Sequence, residues 1–159
     1  MAIEFMHRGI GYETALVFAA EGAQVVMADI NQEAGELARR EIQALLPSAQ
    51  LLFQPCDVSL AESVATLIST AEGHFGKIDI LFNNAGIMHA DDGDATQTED
   101  KIWDATMNIN AKGVFYCCRY GIPALRRAGG GSIINTASFV ARVGAATPQI
   151  ACKHHPARQ

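Results

Sequence analysis

A chain of 159 residues, 49% hydrophobic and 18% charged, suits one globular domain with a core of its own. Seventeen acidic against twelve basic residues leave a formal net charge of -5 with no basic cluster, which argues against nucleic acid as a partner. No segment approaches the roughly 20 apolar residues that a membrane helix needs, and residues 1–8 lack the apolar stretch of a secretory signal.

Met1-Ala2-Ile3-Glu4-Phe5 reads as a weak first strand, and Met6-His7-Arg8 is bulky where a tight phosphate loop takes small residues. Gly9-Ile10-Gly11 then opens a helical pattern through Ala15, Leu16, Phe18 and Ala19, which Gly22 stops. Residues 24–28 read as a buried strand ending at Asp29, and from Asn31 a helix runs to about Leu46, where Pro47 ends it. Leu51-Leu52-Phe53 is a third strand, followed by Cys56-Asp57-Val58. Ser59 and Glu62 have the spacing of a capping box for a helix that reaches about His74.

The apolar run Ile78-Asp79-Ile80-Leu81-Phe82 stops in Asn83-Asn84-Ala85-Gly86, as a buried parallel strand does where its carboxyl end opens into a loop. After the polar loop Asp91-Asp92-Gly93-Asp94, Thr96 and Glu99 repeat the capping-box spacing and start another helix. Asn110 to Arg127 reads as a long helix, kinked near Pro123 and ended by Gly129-Gly130-Gly131, and residues 132–136 are the last strand. Alternation of strands and helices at this spacing gives a parallel sheet covered on both faces, with no repeat and no second domain. Cys56, Cys117, Cys118 and Cys152 show neither a disulfide framework nor paired Cys-x-x-Cys spacing, so a soluble protein of the reducing cytoplasm is expected.

In a doubly wound sheet, ligands settle outside the carboxyl ends of the strands, which is where the amides of Asn83 and Asn84 fall. Small Ala85 and Gly86 let the backbone come close to such a ligand, although this stretch alone would equally be an ordinary strand and turn. Several stretches in register are more specific. Asn83-Asn84-Ala85-Gly86 after Asp79-Ile80-Leu81, together with Gly9-Ile10-Gly11, Asp29, Cys56-Asp57-Val58, Asn108-Ile109-Asn110-Ala111-Lys112-Gly113 and Gly131-Ser132-Ile133-Ile134-Asn135-Thr136-Ala137-Ser138, resembles the short-chain dehydrogenases/reductases over about residues 9–151. The resemblance implies an α/β, Rossmann-like doubly wound parallel sheet of strand order 3-2-1-4-5. It also implies a single domain over residues 1–159, incomplete in that the first strand is weak or replaced, with residues 152–159 a tail unlike the family.

On the cofactor side, the resemblance implies NAD. Gly9, Ile10 and Gly11 match the end of the family's Thr-Gly-x-x-x-Gly-x-Gly loop, whose backbone N–H groups hold a pyrophosphate, while Glu4 and Phe5 stand where the Thr and first Gly would be. By itself a Gly-x-Gly is also a plain helix start. Asp29, with Ile30 after it, lies 18 residues beyond Gly11, and a carboxylate there accepts hydrogen bonds from both ribose hydroxyls and repels a 2'-phosphate. By family analogy Asp57 and Val58 sit against the adenine, and Asn83, Asn84, Ala85 and Gly86 line the adjoining ribose.

On the catalytic side, hydride transfer to or from a carbonyl carbon needs a group that exchanges a proton with the oxygen and another that holds it. The resemblance assigns Ser138 to the substrate oxygen and Asn110 to the proton relay, positions that a turn serine and a helix-capping asparagine would also fill. The family's tyrosine falls 14 residues after Ser138, at Cys152, and its lysine four later, at Pro156; Lys153 has the wrong spacing. A metal site of Cys152, His154 and His155 is disfavoured, because ligands must converge from a stable frame.

Two functions follow as expectations. One is an NAD-dependent oxidoreductase acting on a small secondary alcohol or carbonyl, its turnover in question without the tyrosine and lysine. The other is a non-catalytic fragment that retains nucleotide binding or pairs with a full-length relative. The resemblance further implies a homo-oligomer, usually a dimer formed through the helix here at Asn110 to Arg127 and a following helix that this sequence does not include.

Overall fold

Val25-Val26-Met27-Ala28 is apolar at every position because the strand it forms is covered on both faces, and all of its residues are buried. The computed structural model describes residues 2–3, 9–138 and 149–153, with side chains at 9–138 and 149–151. The elements in chain order are β1 (Ala2–Ile3), α1 (Ile10–Ala20), β2 (Val25–Asp29), α2 (Gln32–Leu45), β3 (Leu51–Pro55), α3 (Ala61–Phe75), β4 (Ile80–Asn83), α4 (Asp100–Asn110), α5 (Lys112–Arg127), β5 (Ser132–Asn135) and α6 (Ile150–Lys153). The five strands form one parallel sheet in the order β3-β2-β1-β4-β5.

Successive side chains of a strand point to opposite faces, and the core divides accordingly. Val26, Ala28 and Leu81 pack with Val64, Leu67 and Ile68 of α3 and Cys117, Ala124 and Leu125 of α5. Val25, Met27, Phe53 and Phe82 pack on the other face with Ala15 of α1 and Ala38 and Ile42 of α2. Two glycines set how closely the helices lie. A Cβ at Gly35 would stand 1.9 Å from the Phe53 ring, and one at Gly121 would stand 2.6 Å from Leu81 Cδ2, so neither helix could keep its distance from the sheet with a larger residue there.

Of the first strand, expected over residues 1–5, the described residues Ala2 and Ile3 form β1 and fill the central place. Ala2 is in register with Met27 and Phe82, and Ile3 with Ala28 and Asn83. The amino-terminal rungs of β2 and β4 therefore have no β1 counterpart among the described residues. A cavity of about 380 Å³ opens there, floored by Phe18, Val26, Phe75 and Ile78.

Three local expectations differ from the structure. Ser59 does not cap α3: its N–H and hydroxyl both donate to the Asp57 carboxylate, at 2.9 and 2.6 Å, and the helix starts after Leu60. Thr96 is likewise drawn to the Asp94 carboxylate, at 2.7 and 2.6 Å, and α4 starts only at Asp100. The helix expected to begin at Asn110 begins at Lys112, Asn110 being the last residue of α4. Asn31 caps α2 as expected, accepting from the Ala34 N–H at 3.0 Å. Glu4, Phe5, Met6-His7-Arg8, Thr147-Pro148, the Cys152 side chain and residues 154–159, including His154, His155 and Pro156, lie outside the described residues.

Candidate functional site

A parallel sheet brings the carboxyl ends of all its strands to one edge, and most of the residues singled out by sequence lie along it. α1 starts beyond β1 with Gly9 as its N-terminal cap residue; Gly9 is extended (φ -102, ψ -176), makes no side-chain cap bond, and accepts from the Glu13 N–H at 3.2 Å. Gly11 is buried, while Ile10 is 64% exposed. On the neighbouring strand, Asp29 is the last residue of β2 and only 4% exposed. One of its carboxylate oxygens accepts from the Asn31 N–H at 2.7 Å, so the turn after the strand holds the carboxylate at the edge. Ile30 beside it is exposed.

One strand further out, the backbone N–H of Asp57 donates to Ser63 Oγ at 3.0 Å, and its carboxylate takes the two bonds from Ser59. Val58 is buried against α5, where a Cβ on Gly113 would come within 2.8 Å of Val58 Cγ2.

On the other side of β1, the amides lace the loops together. Asn83, buried beneath α5, donates from Nδ2 to Asn135 Oδ1 at 2.8 Å and to Cys118 Sγ at 3.8 Å. Its Oδ1 has no hydrogen-bond partner among the described residues. Asn84 Oδ1 accepts from the Thr136 hydroxyl at 2.9 Å, and Thr136 N–H donates to the Asn83 carbonyl at 2.9 Å. Asn110 grips one residue twice: its Oδ1 accepts from the Ile87 N–H and its Nδ2 donates to the Ile87 carbonyl, both at 2.8 Å. Gly86 is exposed just before that clamp, Ala85 is half-buried, and a Cβ on Gly86 would lie 3.5 Å from Asn110 Oδ1, an ordinary contact. Ser138 is half-buried three residues past the end of β5.

Sequence reasoning did not single out Thr136, Asn135, Ile87 or Asp92. The first two stood within the matching stretch Gly131 to Ser138 without a role of their own, and the last two act through partners distant in the chain. Cysteine chemistry is not favoured at this edge. Burial pushes the Cys117 thiol up to about 12, with Cys56 and Cys118 adding to the shift. Burial also raises Cys56, against a lowering hydrogen bond from Ser63, and raises Cys118, against one from Asn83. Among the described residues no group of His, Cys, Asp and Glu could hold a metal ion, and no helix is long and apolar enough to cross a membrane. The cavity beneath β1 is enclosed by the opposite edge of the sheet and offers no helix amino terminus, so its size does not make it the site.

Comparison with known proteins matches this geometry to a family. The family model described as short chain dehydrogenase matches residues 6–150. The chain is 36% identical over 139 residues to a cyclohexanol dehydrogenase of Acinetobacter sp. (strain SE19), covering 86% of this chain and 53% of that protein. It is 32% identical over 151 residues to a levodione reductase of Leifsonia aquatica, covering 92% of this chain and 55% of the relative. A crystal structure of a short chain dehydrogenase from Mycobacterium smegmatis superposes with a TM-score of 0.87 at 28% identity, over 96% of this chain and 61% of that one. The chain thus spans about half the length of the curated relatives it matches. With the sheet order, the polar edge and the sequence relationship agreeing, the chain belongs to the short-chain dehydrogenase/reductase family of oxidoreductases.

Proposed function

We propose that this chain carries the NAD-binding portion of an oxidoreductase that moves hydride between nicotinamide and a small secondary alcohol or carbonyl. The observation that carries the reading is the adjacency, on neighbouring strands, of the α1 amino terminus and the Asp29 carboxylate. α1 has 11 residues and starts after Gly9 without a side-chain cap among the described residues, so its first-turn N–H groups and helix dipole suit a diphosphate. Gly9 and Gly11 carry no Cβ that would hold it off. Asp29 suits two ribose hydroxyls and repels a 2'-phosphate, which favours NAD over NADP. Asp57 and Val58 would flank the adenine. Asn84, Ala85 and Gly86 would flank the second ribose, with Asn83 fixing the strand beneath and Ile10 and Ile30 exposed at the rim.

When bound, the nicotinamide donates or accepts the hydride. The chain's own groups orient the other reactant: the Ser138 hydroxyl holds the substrate oxygen, and Asn110, through its pair of hydrogen bonds with the Ile87 backbone, fixes the loop beside it. Cys152 and Pro156 stand at the family's tyrosine and lysine positions. General acid-base catalysis is worth about 10² to 10⁴ in rate, so turnover is expected to be slower by that factor than in a tyrosine-bearing relative. The names of the similar cyclohexanol dehydrogenase and levodione reductase support an alcohol or ketone substrate. Self-association through α5 belongs to the same reading, because Phe115, 56% exposed, stands between exposed Lys112 and Arg119 on the helix's outward face.

Titration calorimetry with NAD and NADP tests the proposal, followed by NADH absorbance with a panel of secondary alcohols. NAD binding stronger than NADP binding, and a slow rate that Ser138→Ala abolishes, are expected. Absence of binding by either nucleotide overturns it, and NAD binding without any turnover reduces it to a nucleotide-binding role.

A further inference from the structure

The structure assigns to Asp92 a positioning role: its buried carboxylate fastens the turn at residues 150–153 to the loop leaving β4, so that the two sides of the site are held as one body. Asp92 is 3% exposed. Its Oδ1 accepts from the backbone N–H of Ile150 at 3.1 Å and of Ala151 at 3.2 Å, and from the Thr98 hydroxyl at 3.4 Å. The Ile150 N–H also reaches the Gly93 carbonyl, at 3.0 Å.

These are the first two amides of α6, and the first N–H groups of a helix have no acceptor within it. A carboxylate is the stronger kind of acceptor for them. Ala151, 3% exposed, closes the contact from the helix side. The acceptor is itself braced, because Thr98 Oγ1 accepts from the Gly93 N–H at 2.9 Å and its single hydrogen is shared between the Asp94 carbonyl at 3.0 Å and the Asp92 carboxylate at 3.4 Å.

The same loop is pinned at its other end, where Asn110 holds Ile87. One connection thus leaves the candidate nucleotide edge at Asn84-Ala85-Gly86, is tied to the end of α4 at Ile87, and is tied to the start of α6 at Asp92. α6 carries residue 152, the position at which the family has its proton-donating tyrosine. The inference rests on the proposed reading only in taking that position as part of the site; the attachment itself is independent of it.

Hydrogen exchange of the full-length chain, read on peptides covering residues 149–153 in Asp92→Ala, Asp92→Asn and Thr98→Val, tests this, alongside NAD titration of each. Asp92→Ala is expected to speed exchange of this segment at least tenfold. Asp92→Asn, which keeps a carbonyl oxygen in place, is expected to speed it less than threefold, and Thr98→Val to fall between. NAD affinity should stay within threefold throughout. Unchanged exchange in Asp92→Ala overturns the role, as does a general rise in exchange across the sheet in which Asp92→Asn is as severe as Asp92→Ala. Should Asp92→Ala not fold, the order of Asp92→Asn and Thr98→Val decides: unchanged exchange in Thr98→Val overturns the role. Failure of the unaltered chain to bind NAD counts against the nucleotide reading and leaves the exchange result standing.

Discussion

Replacing Asp29 by asparagine isolates one charge at the candidate nucleotide edge. The carboxamide oxygen can still accept from the Asn31 N–H, the bond now made at 2.7 Å, so the turn after β2 should persist. What disappears is the anion. A hydrogen bond to a charged group is worth about 1.5–3 kcal/mol, so NAD affinity should fall by roughly 10- to 150-fold. For NADP the sign reverses. A unit charge about 5 Å from another costs about 3 kcal/mol at an effective dielectric near 20, and that repulsion of a 2'-phosphate is lifted. The ratio of NAD to NADP affinity should therefore drop by at least about 100-fold, while melting moves by less than about 4 °C, roughly 1 kcal/mol. Calorimetry with both nucleotides at one ionic strength measures it. An unchanged ratio, even with both affinities lowered, would refute the assignment of Asp29 to the ribose.

Other consequences can be checked separately. Gly35→Ala drives a methyl into the Phe53 ring and should cost about 1–3 kcal/mol, lowering the melting temperature by about 2–4 °C for each. Phe53→Leu should recover part of that loss, and strictly additive effects in the double variant would show that the two do not clash. Glu72 is held below its ordinary 4.5, chiefly by hydrogen bonds from Arg127, with burial opposing the shift. For an acid depressed in the folded state, the tie between α3 and α5 stabilises above about pH 4.5 and is lost as pH falls through the lowered value. Arg127→Ala should thus lower melting slightly at neutral pH, Arg127 being exposed and Glu72 half-buried, and the difference from the unaltered chain should vanish as pH falls below 4.5; an unaltered acid limb would count against the tie. With its thiol raised to about 12, Cys117 should resist iodoacetamide at pH 8 in the native state, as should buried Cys56, while half-buried Cys118 reacts slowly. Peptide mass spectrometry reads this directly, and early alkylation of Cys117 would contradict the packing.

Strands buried on both faces were the most legible part of the sequence, because covering both faces leaves an unbroken apolar run such as Val25 to Ala28. The sheet order came with the family resemblance, not from periodicity. Capping boxes misled twice for one reason. In Asp57-Val58-Ser59 and Asp94-Ala95-Thr96 a carboxylate two residues upstream reaches the hydroxyl and N–H before the helix can use them. The division between α4 and α5 carries no glycine or proline signal at Ala111, since a helical residue at an unremarkable position simply departs from ideal geometry. Asn83, Asn84 and Asn110 were recognisable as residues of interest, but not the bonds to Asn135, Thr136 and Ile87 on which they are engaged. Asp92 was read only as part of a polar loop, because its partners lie 58 and 59 residues away and no local pattern announces them.

The central strand has a corollary for how the chain closes on itself. The β2–β3 and β4–β5 ladders pair residues 26 and 52 apart and Ala2 meets Met27 across 25, whereas the pairing of Ala2 with Phe82 spans 80. Closing loops of that length is the slow, entropically opposed part of assembly. The pairing of β1 with β4 is therefore the longest closure in the sheet, and through Ala2 and Ile3 it joins the β2–β3 half to the β4–β5 half.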